Sequence, residues 1–505
     1  MSRTRALTLL ILSILGIFAA YQYNRSTMAT TPKLIPTSAI AKNGAIVVGS
    51  GLAGLSAASE LIAANIPVRL LERNAKPGGN SIKASSGING APTLFQPGPP
   101  DTEFYADTIK SAGYAMSTAR EHREKLIGTL TNSSASAVTW LNTTHGIDLS
   151  KVAQLGGHSR ARTHRGAGGT PPGFAIVSTL LKSLKASPLF ELKTSCTVNR
   201  LLRSGSSVTG VEYTCISPEA ESTTSELHGP VIVTTGGFAG DAAGLLATHR
   251  PDLANFPSTN DPAPGFTHLL TSVGAQLLDM SSVQVHPTGF VDPANPSSPL
   301  KFLAAEVLRG EGGILLHDGE RFFNELETRE KVTAAILKNP PIEEKPKQWD
   351  VLLVLDEGVY EAAKSHIDFY IFKGLIRKTT IGDLGEKALP TIQEYAGAVA
   401  GKYEDKFGRT AFANWKLLEP EADSVVYVGR VTPVVHFTMG GVVISEKAEV
   451  LDAQGVPVEG VWAAGEVTGG VHGGNRLGGS SLLECVVFGR NAGERVVEYV
   501  KKEEK

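Results

Sequence analysis

Residues 43–74 read NGAIVVGSGLAGLSAASELIAANIPVRLLERN, and this stretch constrains the fold of everything after it. Ala45–Val48 is a short β-branched run of the kind that forms a strand buried on both faces. It leads directly into Gly49, Gly51 and Gly54. From Leu52 the alanine and leucine spacing is helical until Asn65 and Pro67 stop it, and a second apolar run, Val68–Leu71, ends in Glu72. A lone G-x-G-x-x-G carries little information. Between a strand and a helix, with an acid about twenty residues on, it marks a dinucleotide site. The glycines permit a tight turn and close approach of a pyrophosphate to the helix N-terminus, and Glu72 can accept from a ribose hydroxyl.

The segment after Glu72, RNAKPGGNSIKASSGINGA, is rich in glycine and serine and suits a cofactor larger than NAD lying along extended backbone. This favours FAD. Residues 230–234 read as another strand, closing on Thr235, Gly236 and Gly237, and residues 460–464 as a further one, ending at Gly465 and Glu466. No second G-x-G-x-x-G occurs in a strand–turn–helix context.

The length of 505 residues accommodates roughly three domains. A formal net charge of −2 gives no nucleic-acid footprint, so any anion site must be local. Cys196, Cys215 and Cys485 form no C-x-x-C or C-x-x-C-H pattern, which argues against c-type haem and zinc ribbons and leaves no metal site to propose. Single buried thiols are the expected state, with one disulfide as the alternative. MSRTR precedes ALTLLILSILGIFAA, an apolar run too short to span a bilayer squarely. It reads as a cleaved signal or an uncleaved membrane anchor, followed by a linker to about residue 40.

Four further stretches set polar residues in apolar or glycine-rich surroundings: SSVQVHPTGF with His286, AAEVLRGEGG with Glu306 and Arg309, RFFNELETREKV with Arg329, and TPVVHFTMGGV with His436. A fifth, GGVHGGNRLGGSSLLE, sets Arg476 between glycine pairs. Each alone has an ordinary reading as a core histidine, a helix pair or a solvated charge. Three arginines and two histidines near a flavin are what a small dicarboxylate requires, because two carboxylates leave water only if donors replace their hydration.

From about Asn43 to its end, the chain resembles the soluble fumarate reductases of yeasts, within the family of flavocytochrome c fumarate reductases and succinate dehydrogenase flavoproteins. The motifs H-P-T, E-x-x-R-G, F-x-N-E-x-x-x-R, H-x-T-M-G-G and G-N-R-L-G-G occur in family order. The resemblance implies that Arg476 and His436 bind one substrate carboxylate and His286 the other. It also implies that Arg329 donates the proton, with Glu306 and Arg309 relaying protons to it. The expected fold is α/β: a Rossmann-like FAD-binding domain with a parallel sheet, formed by residues 41–285 and 433–505, and an inserted α+β capping domain at 286–432. Within that cap KNPPIEEKPKQWD, residues 338–350, reads as an exposed loop. Cofactor contacts are expected at Gly49, Ser50, Gly51, Ala53, Gly54, Glu72, Arg73, Gly79, Asn80, Ser81, Ser85, Ser86 and Gly87. They continue at Thr235, Gly236, Gly237, Gly465, Glu466, Ser481 and Leu482.

Two departures stand out. Pro264, Gly265, Phe266 and Thr267 replace the family's Thr-Gly-Asp-Gly, which puts one local flavin or backbone contact in doubt. IKASSGINGAPT lacks the histidine to which membrane-bound relatives attach FAD, so non-covalent FAD is expected. Electrons would come from a diffusible reductant such as reduced flavin or NADH, or from another protein. The mitochondrial intermembrane space and the ER lumen both fit the N-terminus. The alternatives to fumarate reduction are reduction of another enoate such as urocanate, a flavin dehydrogenase running in the oxidising direction, and a catalytically silent flavoprotein.

Overall fold

The computed structural model describes residues 44–217 and 221–503. The N-terminal signal or anchor run lies outside the described residues, among which no helix is long and apolar enough to cross a membrane. The first elements are β1 (Ala45–Val48), α1 (Leu52–Ala63) and β2 (Val68–Leu71), as the opening motif predicts. Every residue of β1 is buried, which is why it carries no polar alternation. About a hundred residues further on come α2 (Pro172–Lys185), with proline at its first position where no N–H is needed, and β3 (Phe190–Lys193). An antiparallel sheet of β4 (Cys196–Ser204), β5 (Ser207–Ile216) and β6 (Ser222–His228) precedes β7 (Val231–Val233). A second body contains β8 (Val283–Phe290), β9 (Ile314–His317), α3 (Arg329–Ile336), β10 (Val351–Leu355) and β11 (Val425–Thr438). The chain closes with β12 (Glu449–Leu451), β13 (Pro457–Ala463) and α4 (Ser480–Glu503).

The main sheet runs β12-β13-β7-β1-β2-β3, parallel throughout except for the β12–β13 pair. Three strands that are distant in sequence, β1, β7 and β13, thus end side by side. In the second sheet β11 pairs antiparallel with β8 on one side and β10 on the other. The two sheets have separate apolar cores. Helix α4 lies against α1 so closely that a Cβ at Gly489 would come within 2.5 Å of the Ala53 carbonyl oxygen, and one at Gly493 within 2.7 Å of that of Ala57. Matched four-residue spacings of small residues let these backbones touch along one face. That contact fixes the start of α1 over the end of β1.

Two expectations need correction. Residues 338–350 are not simply an exposed loop, since Glu343–Glu344 pairs with Lys347–Gln348 in a short hairpin. Trp349 is buried beside Phe256, with ring centroids 5.4 Å apart, and its indole N–H donates to the Asn339 carbonyl at 2.8 Å. The apolar ring pulls the segment inward against its polar composition. Likewise Cys196 and Cys215 are not single thiols but a disulfide, with only Cys485 free. They are register partners on β4 and β5, a proximity set by hairpin pairing that a 19-residue separation does not reveal.

Denatured, unreduced protein should therefore titrate one thiol, and three after reduction. Replacing both Cys196 and Cys215 by serine should cost about 3 kcal/mol of stability, since a loop of this length loses its closure constraint in the unfolded chain. Three thiols without reduction, or an unchanged melting temperature, would contradict the bond.

Candidate active site

The glycines after β1 fit their surroundings because nothing larger would. Gly49 has φ of +107°, and a Cβ there would come within 2.4 Å of the Thr234 carbonyl oxygen; one at Gly54 would come within 2.1 Å of Gly49's own. The turn is thus pressed onto the end of β7. Gly51 and Gly236 differ: a Cβ at Gly51 would meet nothing closer than 3.6 Å, and one at Gly236 nothing within 4 Å. These positions leave room for a ligand above the strand ends, where open parallel sheets bind nucleotides. Glu72 points back at the turn, accepting from Ser50 N at 3.0 Å, from Ser50 Oγ at 2.5 Å and from Asn74 N at 2.8 Å.

The other expected cofactor residues surround this point. Leu52 N–H donates to Ser81 Oγ at 3.1 Å, and a Cβ on Gly79 would sit 3.4 Å from Gly51 Cα. Asn80 bonds to Asn260. Gly87, at φ of +129°, presses on the His164 carbonyl. Thr235 Oγ1 is buried without a partner. A Cβ on Gly237 would run into Thr438 and Glu466, and one on Gly465 would lie 3.0 Å from Ala53. Burial pushes the Glu466 carboxyl up to about 7, although it accepts from Thr438 N at 2.9 Å. Ser481 and Leu482 lie in the first turn of α4, and Ser85 and Ser86 just before Gly87. The departure at residues 264–267 has its own packing: Arg73 donates to the Pro264 carbonyl at 3.0 Å and lies over the Phe266 ring at 4.9 Å. The open glycine cradle and the orphaned Thr235 hydroxyl fit a dinucleotide.

Beside this cradle the second body and the loop before α4 supply a cluster of cations. Arg329 starts α3; its Nε donates to Glu306 Oε2 at 2.7 Å and its Nη1 to Gln284 Oε1 at 2.8 Å. Arg309 Nη2 lies 3.9 Å from Glu306 Oε1, and His286 Nε2 lies 4.0 Å from Oε2. The His286 and His436 rings are 5.4 Å apart. Arg476 lies over Phe437 at 4.2 Å, so an aromatic ring holds a side chain set among glycines. Arg309, Arg329 and Arg476 are 1%, 4% and 2% exposed, yet Glu306 is the only acid that forms an ion pair with any of them among the described residues.

That imbalance sets the protonation states. Burial, then the charges of Arg329, His436, Arg309 and Arg476, hold His286 well below its ordinary range; burial, Arg329 and Arg476 do the same to His436. Burial pushes the Glu306 carboxyl up, but the charges of Arg329 and Arg309 outweigh it and keep the group ionised. Arg476 is pushed down to about 9, first by burial and then by Arg329. His286 Nε2, Arg476 Nε, and Arg309 Nε and Nη2 are buried with no hydrogen-bond partner. Buried donors of this kind are costly unless a ligand completes them.

All six residues expected to act on substrate therefore come together. Sequence reasoning missed Gln284, Phe437 and Asn475, whose Oδ1 accepts from Gln284 Nε2 at 3.0 Å. Gln284 precedes His286 by two residues on β8, the spacing of one strand face, so alternation carried a usable signal. It also missed Thr259, whose hydroxyl meets His436 Nδ1 at 2.8 Å, and Asn260, whose amide donates to the His436 carbonyl at 2.9 Å. Both lie about 176 residues away in sequence and carried no local signal.

A family model described as FAD binding domain matches residues 44–482, which makes the chain an FAD-dependent oxidoreductase. It is 44% identical over 476 residues to Fumarate reductase 1 of Saccharomyces cerevisiae, covering 89% of this chain and 98% of that protein. It is 39% identical over 502 residues to the fumarate reductase of Schizosaccharomyces pombe, covering 95% and 92%. Among solved structures, the open conformation of a flavocytochrome c3 fumarate reductase matches with a TM-score of 0.69 and 30% identity, over 92% of this chain and 80% of that one. The chain belongs to this family of FAD-binding fumarate reductases.

An anion held by Arg476 would pair with its charged form, so binding of a small dicarboxylate there should weaken as pH rises through about 9. The dissociation constant should climb by up to about tenfold per unit for the one proton lost. Titration of the flavin spectrum with ligand between pH 7 and 10.5 reads this directly; a flat profile would contradict it.

Proposed function

We propose that this enzyme reduces fumarate to succinate, using FAD held non-covalently. The observation that carries the proposal is the surplus of buried, unpartnered donors, above all His286 Nε2 and Arg476 Nε, beside the glycine cradle. A dianion is the ligand that such a surplus suits. Gly49, Gly51, Gly54, Glu72, Ser81, Thr235, Gly236 and Gly465 would hold FAD, which supplies the hydride when bound. Residues 79–93 contain no histidine, cysteine or tyrosine, which supports non-covalent attachment.

In this reading Arg476 and His436 clamp one carboxylate and His286 the other. As hydride adds to one alkene carbon, charge moves onto the carboxylate conjugated with the other, and the fixed cations lower the barrier by meeting that charge. Arg329 then gives a proton to the second carbon. A guanidinium is ordinarily a poor acid. Glu306, ionised at rest and bonded to Arg329 Nε, takes up a proton from the side of Arg309 and passes it on, so Arg329 need lose its own only transiently. Two electrons and two protons reach the substrate in all.

The finer assignments come from the same reading. Residues 286–432 form the cap that shields hydride transfer from water, with the FAD-binding part on either side at 41–285 and 433–505. The absence of haem-type cysteine pairs from the sequence leaves a diffusible reductant, such as reduced flavin or NADH, or a separate protein as electron source. The Cys196–Cys215 bond supports an oxidising compartment, consistent with an N-terminal signal or anchor serving the ER lumen or the intermembrane space.

Purified protein should be yellow, should release its flavin to the supernatant on acid precipitation, and should oxidise reduced viologen when fumarate is added. Arg329→Ala should lower kcat on the order of 10²–10⁴-fold while leaving flavin bound. Activity on another enoate but not on fumarate, or an Arg329→Ala variant within tenfold of the parent, would overturn the substrate or the proton-donor assignment respectively.

A further inference from the structure

Glu306 is gripped by two glycines that belong to neither its own strand nor its own helix. Gly156 N–H donates to Oε1 at 3.0 Å. A Cβ at Gly156 would come within 2.9 Å of that oxygen and 2.6 Å of the Glu327 carbonyl. On the opposite side, a Cβ at Gly478 would lie 2.7 Å from Glu306 Oε2 and 3.2 Å from Arg329 Nη2. Neither position admits a side chain without moving the carboxylate. Gly157, at φ of +79°, continues the contact, its N–H donating to the Leu326 carbonyl at 3.0 Å.

His158 joins the two glycine segments. Its Nε2 meets the Gly478 carbonyl at 3.0 Å, a carbonyl that also accepts from Asn89 Nδ2 at 2.8 Å. Its Nδ1 faces Arg162 Nη1 at 2.9 Å, and a guanidinium can only donate. Nδ1 is therefore the acceptor, and the ring carries its proton on Nε2, toward Gly478. Arg162 is itself fully buried and held by Asp101, at 2.7 and 3.2 Å, and by Asp107 at 2.6 Å. Burial and the Arg162 charge bring His158 down to about 4, so the ring stays neutral across any practical assay range. The loop springs from the strand Lys151–Ala153, which pairs with Thr163–Arg165; that strand pairs with Ile88–Asn89, just after the expected flavin contacts Ser85, Ser86 and Gly87.

We propose that residues 154–158, QLGGH, are a positioning element that makes Glu306 a competent proton relay only when this loop is seated: Gly156 orients Oε1, Gly478 confines Oε2, and His158 locks the two together. The inference rests on the reading of Glu306 as the relay. A relay carboxylate must present one oxygen to its proton partner within a fraction of an ångström. With Oε1 held by a backbone N–H and facing Arg309 Nη2 at 3.9 Å, Oε2 is left to Arg329, so each oxygen keeps its own partner in the relay. Gly156 acts on Glu306 directly, and His158 acts on it through the Gly478 carbonyl.

The test compares Gly156→Ala, His158→Gln and His158→Leu in the FAD-loaded full chain, with Glu306→Gln as reference. Gly156→Ala should lower kcat at least about 20-fold and leave KM for fumarate within about threefold, while enlarging the solvent isotope effect. The acid limb of kcat should also move to higher pH, because the added methyl pushes the Glu306 carboxylate off the backbone N–H of residue 156, which favours its ionised form. The other charged or titratable groups facing it, Arg329, Arg309, His286 and His158, are unaltered. A glutamine amide offers one acceptor to Arg162 and one donor to Gly478, so His158→Gln should stay within about threefold, whereas His158→Leu should fall about tenfold. A Gly156→Ala variant with parental kcat and pH profile would overturn the inference while leaving the relay intact, provided Glu306→Gln is inactive. A fully active Glu306→Gln would instead sink the relay reading, and this inference with it. Should Gly156→Ala fail to load flavin, the histidine pair decides: equal activity of the Gln and Leu variants contradicts the lock.

Discussion

The site depends on one physical imbalance: three arginines are buried around Glu306, and it is the only acid that forms an ion pair with any of them among the described residues. Arg309, Arg329 and Arg476 are all removed from water, and Arg476 makes no ion pair among the described residues. Everything else in the site answers to that. The two histidines stay neutral first because they are buried, and then because protonation would add charge beside the arginines. Glu306 stays ionised despite its burial for the complementary reason. Cations stored in this way are poised to receive an anion, and the cost of holding them apart is met elsewhere in the fold.

The scaffold holds them apart by drawing each from a different rigid element. His286 and Gln284 share one face of β8, His436 and Phe437 sit on its neighbour β11, and Arg329 is fixed at the start of α3. Arg476 comes from the loop that leads into α4, whose packing on α1 also secures the glycine turn at the end of β1. The dinucleotide cradle and the cationic cluster are thus braced by the same helix pair. Glycines occur where backbone must reach the site, as at Gly156, Gly237 and Gly478, each of which would drive a Cβ into a charged or hydroxyl group.

Much of this is legible in the sequence because the signals are local. The strand, turn, helix and acid of residues 45–72 fall within one supersecondary unit, so their order alone defines their geometry. The cationic residues are readable only as members of recognisable motifs, since nothing in composition says that His286 and Arg476 meet. The features that escape a sequence reading are non-local. The pairing of Cys196 with Cys215 depends on a hairpin register, and the contact of Thr259 with His436 depends on long-range packing. Gly156 sits in a plain QLGGH loop whose importance arises only when Glu306, 150 residues later, is folded against it. Trp349 is masked in the sequence by charged and proline-rich neighbours that outweigh one buried ring.

A crystal structure of the oxidised, FAD-loaded protein with fumarate tests the central claim most directly. The account predicts one carboxylate within about 3.2 Å of Arg476 and the other within the same distance of His286 Nε2, completing donors that the protein leaves unpaired. Fumarate density elsewhere, with His286 Nε2 and Arg476 Nε satisfied by protein groups, would contradict it.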